Sequence, residues 1–179
     1  MSTHALWSRL AIILAASVVA PAAIAEDKTD VLVDFLSGRL VATGRVSDYI
    51  SRSTRDLKVD IVGSTDAGVL KVNEDAAYAD GEKRKYNWRF TKVGEGRYVG
   101  RRPDVIGDAK VVSHGNTIEI TYKAHEPMKN GKTQDLNFAE TFEITSPTTA
   151  NFKVNVSLLF VPVADVSLSI RKVVAGASR

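Results

Sequence analysis

The sequence predicts an all-β protein: one closed, antiparallel up-and-down β-barrel of about eight to ten strands, with a short helix at its amino-terminal end. Three observations carry this expectation. From Arg39 onward, apolar and polar residues alternate with period two. Turn signals rich in glycine, asparagine and aspartate interrupt that alternation at spacings of about 8–12 residues. Helical periodicity is confined to one short segment.

The first segment reads as an address. Residues 1–25 have the parts of a secretory signal peptide: Arg9 in the leading portion, an uncharged apolar run from Leu10 to Ala20, Pro21 as a breaker, and Ala23-Ile24-Ala25 as the small-x-small cleavage pattern. The run is shorter than the roughly 20 residues that a transmembrane span needs. The folded domain then occupies residues 26–179. Removing the leader takes one basic residue and no acidic one, so the net charge of +3 falls to +2. The 179 residues contain no cysteine, which excludes disulfides, thiolate nucleophiles, cysteine-ligated zinc, iron–sulfur clusters and an acylated lipobox. Export without cysteine fits the periplasm of a Gram-negative bacterium, where disulfides are permitted but not required.

Next comes the helix candidate, Thr29 to Ser37, with Val31, Leu32, Phe35 and Leu36 apolar and Gly38 as its stop. It reads as a short plug or entry turn. Five segments then alternate plainly, each with one dry and one wet face. Their apolar positions are Leu57, Val59 and Ile61; Tyr86, Trp88 and Phe90; Ile118, Ile120 and Tyr122; Phe152, Val154, Val156, Leu158 and Phe160; and Val166, Leu168 and Ile170. Leu40 to Val46, Leu70 to Glu74, Arg97 to Arg102, Val105 to Val112 and Asp135 to Ile144 complete about ten strands. Asp80-Gly81, Gly94-Glu95-Gly96, His114-Gly115-Asn116 and Asn130-Gly131 supply hairpin turns.

Consecutive hairpins with short connections favour a meander, and a meander of this length removes its edges by closing. The apolar face then becomes the lumen. An outer-membrane barrel would turn that face outward, but the opposite faces here carry Lys, Arg, Asp and Glu throughout. The pattern is that of a soluble, lipocalin-like barrel, whose lumen is either filled by side chains or holds one small ligand. Hydrophobic residues make up 44% of the chain and charged ones 25%, enough apolar material for a core without staples. With 24 Lys and Arg against 21 Asp and Glu, no basic patch points to nucleic acid.

No motif announces a reaction. There is no nucleophile elbow, no dinucleotide fingerprint and no P-loop. His114 and His125 read as solvated loop residues at opposite ends of one hairpin arm, too far apart to share a metal. No cofactor is implied. The informative oddity is a pair of inward carboxylates. Glu140 shares the parity of Phe138 and Phe142, and Glu74 follows Leu70 and Val72 onto the inner side. A buried carboxylate must be paired, hydrogen-bonded or protonated. It serves here as a structural bond to Arg or Tyr, as an anchor for a ligand head group, or as a general acid or base; a strand bulge would instead turn Glu140 outward. Tyr86, Trp88, Phe90, Tyr122, Phe138 and Phe142 either wall a cavity or fill a core. Arg101-Arg102-Pro103-Asp104 reads as a solvated turn in which Asp104 caps its own backbone, with a portal contact for an anionic head group as the alternative.

Several spaced motifs resemble a bacterial envelope family, domain of unknown function 3833. They are Phe35-x-x-Gly38-Arg39-Leu40-x-Ala42-x-Gly44-x-Val46-x-Asp48; Glu74; Tyr78-x-Asp80-Gly81-Glu82; Arg84; Trp88; Gly94-x-Gly96-x-Tyr98-x-Gly100; Asp104-Val105-Ile106-Gly107-x-Ala109; Gly115-Asn116; Tyr122; and Val166-x-Leu168-x-Ile170-x-Lys172. The chain departs from relatives that carry an acylated cysteine, and where relatives tend to read Asn-Phe-Asp-Asp-Trp it reads Asn137-Phe138-Ala139-Glu140-Thr141. The resemblance implies a lipocalin-like barrel and, through the family's association with fatty-acid-modifying enzymes, a role connected with lipids.

Three functions follow as expectations. The first is a periplasmic binding module for an acyl chain or other apolar small molecule, with peripheral membrane association; Trp88, Phe90, Tyr122, Phe138 and Phe142 line the cavity and Glu74 and Glu140 anchor the ligand. The second is an enzyme of lipid or isoprenoid modification using Glu140 or Asp104. The third is a filled barrel serving as an envelope accessory protein. Exported protein should begin at Glu26, and amino-terminal sequencing checks it: a chain beginning at Met1 restores the anchor reading.

Overall fold

The structure is a computed structural model and describes residues 30–128 and 131–173. The expected signal peptide and Asn130 lie outside the described residues. A short helix, α1 (Val31–Leu36), precedes ten strands: β1 (Gly38–Asp48), β2 (Ser53–Asp66), β3 (Val69–Tyr78), β4 (Lys83–Gly94), β5 (Arg97–Arg101), β6 (Ala109–His114), β7 (Thr117–Pro127), β8 (Thr133–Ser146), β9 (Thr149–Leu158) and β10 (Val161–Lys172). Each strand pairs antiparallel with the next, and β1 pairs with β10 from Leu40↔Lys172 to Asp48↔Ala164, closing the barrel. The expected all-β, up-and-down architecture is therefore what forms.

The alternation read from the sequence is the alternation of the pleat. Leu57, Val59, Ile61, Leu70, Val72, Trp88, Phe90, Ile118, Ile120, Leu168 and Ile170 are all buried inside. Two segments differ from expectation. Residues 105–108 are not strand: Gly107 adopts φ 76°, and the backbone runs across β7 through a single Val105↔Ala124 bridge and a hydrogen bond from the Ile106 amide to the Lys123 carbonyl, 2.8 Å. Phe160 is not inward: it stands in the two-residue turn between β9 and β10, where Leu159 adopts φ 56° and takes its neighbour out of the pleat.

The two ends of the barrel are unlike. At the base α1 acts as a plug, with Leu32, Phe35 and Leu36 buried. Asp30 caps its first turn, accepting from the Val33 amide at 3.2 Å, and also takes a hydrogen bond from the Tyr98 hydroxyl and an ion pair from Lys92 at 2.9 Å. Lys172 donates to the Asp34 carbonyl. The Leu36 carbonyl reaches the inner wall at Gly63, where a Cβ would come within 1.8 Å of it. At the other end, Val46, Tyr78, Tyr86, Phe138 and Val166 are only half-buried, while Leu57, Ala76, Leu136, Val156 and Val163 are buried, so the base is packed closely and the mouth less completely.

Gly63 is thus the seat of the plug. Gly63→Ala forces backbone against backbone and should destabilise by ~1–3 kcal/mol, the usual range for overpacking. Urea unfolding measures it, with Gly94→Ala, whose Cβ would meet only the flexible end of the Arg97 side chain, as the comparison.

Candidate functional site

The candidate site is a polar cluster at mid-height in an otherwise apolar lumen. Glu140 on β8 is 8% exposed and accepts a 2.6 Å hydrogen bond from the Tyr122 hydroxyl on the adjoining β7. The strand register places Ile120 directly opposite Glu140 and Phe138 opposite Tyr122, with no bulge at Ala139. The expectation of an inward Glu–Tyr bond is met, and the bulge that would turn Glu140 outward is absent. Glu74 on β3 also faces inward, opposite Tyr86 on β4. As a whole residue it is half-buried, while burial desolvates its carboxyl. Among the described residues no hydrogen bond reaches that carboxyl.

Aromatic rings box the cluster in. Trp88 stacks on Phe90 at 5.2 Å and meets Tyr122 edge-on at 5.2 Å; Tyr122 stacks on Phe138 at 4.8 Å. Phe90 and Phe142 lie one layer nearer α1, Phe142 packed on Phe152 at 4.4 Å, so they belong to the packed base.

The residue that the sequence reading left in a solvated turn is Arg102. Its side chain is only 7% exposed. The guanidinium lies 4.4 Å over the Trp88 ring, 4.6 Å over Tyr86 and 5.2 Å from Tyr122. Nε and a terminal nitrogen grip Asp104 at 2.6 and 2.8 Å. The solvated-turn reading of this segment is therefore corrected. Asp104 holds Arg102 as well as turning the chain, and the physical reason is parity: Tyr98 and Gly100 face inward along β5, and the alternation carries Arg102 inward before Pro103 breaks the strand. That parity was the available signal. Arg101, of opposite parity, is exposed and pairs with Asp108 at 2.7 Å.

Electrostatics divide the cluster. Burial raises Glu74, the Glu140 charge raises it further, and Arg102 offsets part, leaving it at about 8. Burial also raises Glu140, against the Tyr122 hydrogen bond and Arg102. Burial pulls Arg102 down, but Tyr122, Asp104 and Glu140 outweigh it and keep the guanidinium charged. One cation, already held by Asp104, thus faces two carboxyls. The site holds a proton on Glu74 at neutral pH in place of a missing positive charge.

The histidines stand apart from this site. His114 ends β6 and is exposed; His125 lies within β7 rather than in a loop, with Nδ1 2.6 Å from Asp135 on β8. No group of three His, Asp or Glu residues suited to a metal occurs among the described residues. A shallow depression of about 500 Å³ over Thr43, Gly44, Leu57 and Tyr78 is open to solvent and includes none of the cluster.

The family described as a protein of unknown function, DUF3833, matches residues 11–172. The chain belongs to the DUF3833 family. No curated protein matches it. Among solved structures it is similar to the S-type phycobiliprotein lyase CPES from Guillardia theta, with TM-score 0.59 at 10% identity, over 78% of this chain and 89% of that one. It is also similar to Rv2717c from M. tuberculosis, with TM-score 0.52 at 12% identity, over 78% of this chain and 93% of that one. At such identities the likeness establishes a shared lipocalin-like barrel for this DUF3833 member and nothing about its chemistry.

The cluster makes stability depend on pH in a definite sense. Between about 4.5 and 8 the folded chain keeps a proton on Glu74 that the unfolded chain has released, so stability falls as pH rises through that window. Urea midpoints at both ends of the window should show the fall, and Glu74→Gln should flatten it.

Proposed function

We propose that this DUF3833 protein is a periplasmic binding module for an acyl chain or similar apolar small molecule, held in the upper lumen with its polar end at Glu74 and Glu140. A barrel of lipocalin-like form, shared with a phycobiliprotein lyase, suits the holding of a small molecule in general. The observation that carries the reading is the placement of Glu74: an inward, half-buried carboxyl without a hydrogen-bond partner among the described residues, on β3 beside Tyr86 and Trp88. A carboxyl that served packing alone would have a fixed partner, as Glu140 has in Tyr122.

The same groups choose the ligand's polar end. A fatty-acid carboxylate would add a third acid beside Glu74 and Glu140, with Arg102 already engaged by Asp104. An ammonium or other hydrogen-bond-donating end instead supplies the missing charge or donor beside Glu74. On this reading Phe90 and Phe142 support the wall from below, and Trp88, Tyr122 and Phe138 touch the ligand. Service beside the envelope's lipid-modifying enzymes fits such a carrier.

The test compares dodecylamine, dodecanol and dodecanoate by quenching of Trp88 fluorescence. The amine should bind about tenfold or more tighter than the carboxylate, the ratio that one charge-assisted contact of about 1.5 kcal/mol produces. Glu74→Gln should remove the amine's advantage and keep dodecanol binding. Failure of all three to bind overturns the module; equal binding of amine and carboxylate overturns the assignment of its polar end.

A further inference from the structure

We propose that a slot in the barrel wall, between β4 and the Asp104–Ile106 segment, is the doorway through which a ligand reaches the charged cluster, and that the Arg84–Glu126 ion pair is its latch. This rests on the lumen reading, since a doorway presupposes an occupant. The ring of strands is closed, but β5 is short. Its ladder with β4 ends at Arg89↔Arg101, and above that pair no backbone hydrogen bond reaches Lys83–Asn87 from this side among the described residues. β7 is not left bare in the same way. Its ladder with β6 ends at Lys110↔Thr121, but residues 104–106 carry the wall upward along it. They do so through the Val105↔Ala124 bridge, the Ile106 amide on the Lys123 carbonyl at 2.8 Å and the His125 amide on the Asp104 carbonyl at 2.9 Å. The wall is therefore one strand short between β4 and residues 104–106, from the level of the cluster to the mouth.

Side chains alone fill the slot. At its foot Arg102 lies over the Tyr86 and Trp88 rings, tied to Asp104. At its rim Arg84 donates to Glu126 and so joins β4 to β7. The two side chains are 22% and 20% exposed. Arg84 Nε also donates to Glu82 at 2.6 Å, and Glu82 is held in turn by Arg55 at 2.6 Å, so Arg84 keeps a partner when Glu126 lets go. A partly exposed ion pair is a weak tie. Rotation of its side chains opens it on a far shorter timescale than the opening of a β-ladder. The other strand pairs run on to the mouth, as at Asp48↔Ser53, Ala77↔Lys83 and Pro127↔Thr133. On the far side of the mouth Leu136, Val156 and Val163 are buried in one apolar cluster. Behind the slot Tyr86 stands opposite Glu74, so a molecule that passes Arg84 arrives at the cluster.

Ligand exchange rates test this. The protein has no cysteine, so Arg84→Cys combined with Glu126→Cys gives a single reactive pair. Stopped-flow recording of Trp88 quenching by dodecylamine should show association and dissociation both faster in this variant than in the wild type, because a latch sets rates rather than affinity. Bridging the two thiols with a short bismaleimide should then slow both by about tenfold or more and leave the equilibrium affinity unchanged. Glu126→Gln keeps the shape, loses the charge and should speed both rates; it remains a test if the cysteine pair does not fold. Lys85→Gln, on the outer face of β4 in an exposed pair with Asp75, should change neither rate. The proposal falls if bridging leaves the rates as they were, or if Glu126→Gln alters affinity instead of rates. A Trp88 response to dodecylamine with rates indifferent to the latch overturns the doorway alone and leaves the lumen reading standing; no response in the wild type overturns both.

Discussion

When β1 pairs with β10, the wall has no edge left and every residue must be either inside or outside. Inward and outward then follow from odd and even positions along each strand. An inward side chain is dry whatever its chemistry, so the alternation that places Phe138 and Phe142 in the lumen places Glu140 there as well. A one-residue slip of β8 would remove the carboxylate from the lumen, but it would also expose both phenylalanines. Apolar burial on this strand therefore fixes the position of the acid.

An acid fixed in this way must be satisfied by what surrounds it. Tyr122, reached across the β7–β8 pair, supplies one hydrogen bond to Glu140. Arg102 supplies a positive charge but divides it, since Asp104 holds two of its nitrogens. Glu74 receives what remains and keeps its proton. A buried ion pair with incomplete partners contributes little to stability, and a well-packed apolar layer would hold this barrel at least as firmly. The fold does not require the cluster, and the proposed binding role rests on that.

How legible this was depends on which physical rule spoke. Period-two alternation is a local rule, and it placed the strands around Leu57, Trp88, Ile118 and Val154 on the correct faces, together with Glu74 and Glu140. Turn chemistry competed with it at two places. Arg102-Pro103-Asp104 carries every mark of a solvated turn, and those marks concealed that residue 102 is still in phase with Tyr98 and Gly100. Leu159-Phe160 carries none, being two large apolar residues, so alternation appeared to continue through a tight reversal that Leu159 makes at positive φ. Ring stacking on Arg102 joins β4, β5 and β7 across the lumen, a relation between distant segments that spacing within one segment does not express. The packing of the base likewise depends on α1 folding back against Gly63, a contact between two chain segments.

That asymmetry ties the parts together. A ten-strand barrel is wider than its inward side chains can fill evenly. Here the added volume of α1 takes up the surplus at one end only. Leu32, Phe35 and Leu36 complete the packing under Phe90 and Ile118, and the cap on Asp30 with its Tyr98 and Lys92 partners locks the plug to the wall. The other end has no such plug, and it is where the apolar side chains Ile50, Leu159 and Phe160 are exposed. Between the plug and the mouth stands the charged cluster. A molecule entering from the mouth with its apolar part toward the walls would meet Glu74 first at its leading end. That carboxyl, without a hydrogen-bond partner among the described residues, is thus placed on the inner side of the wall, away from the plug.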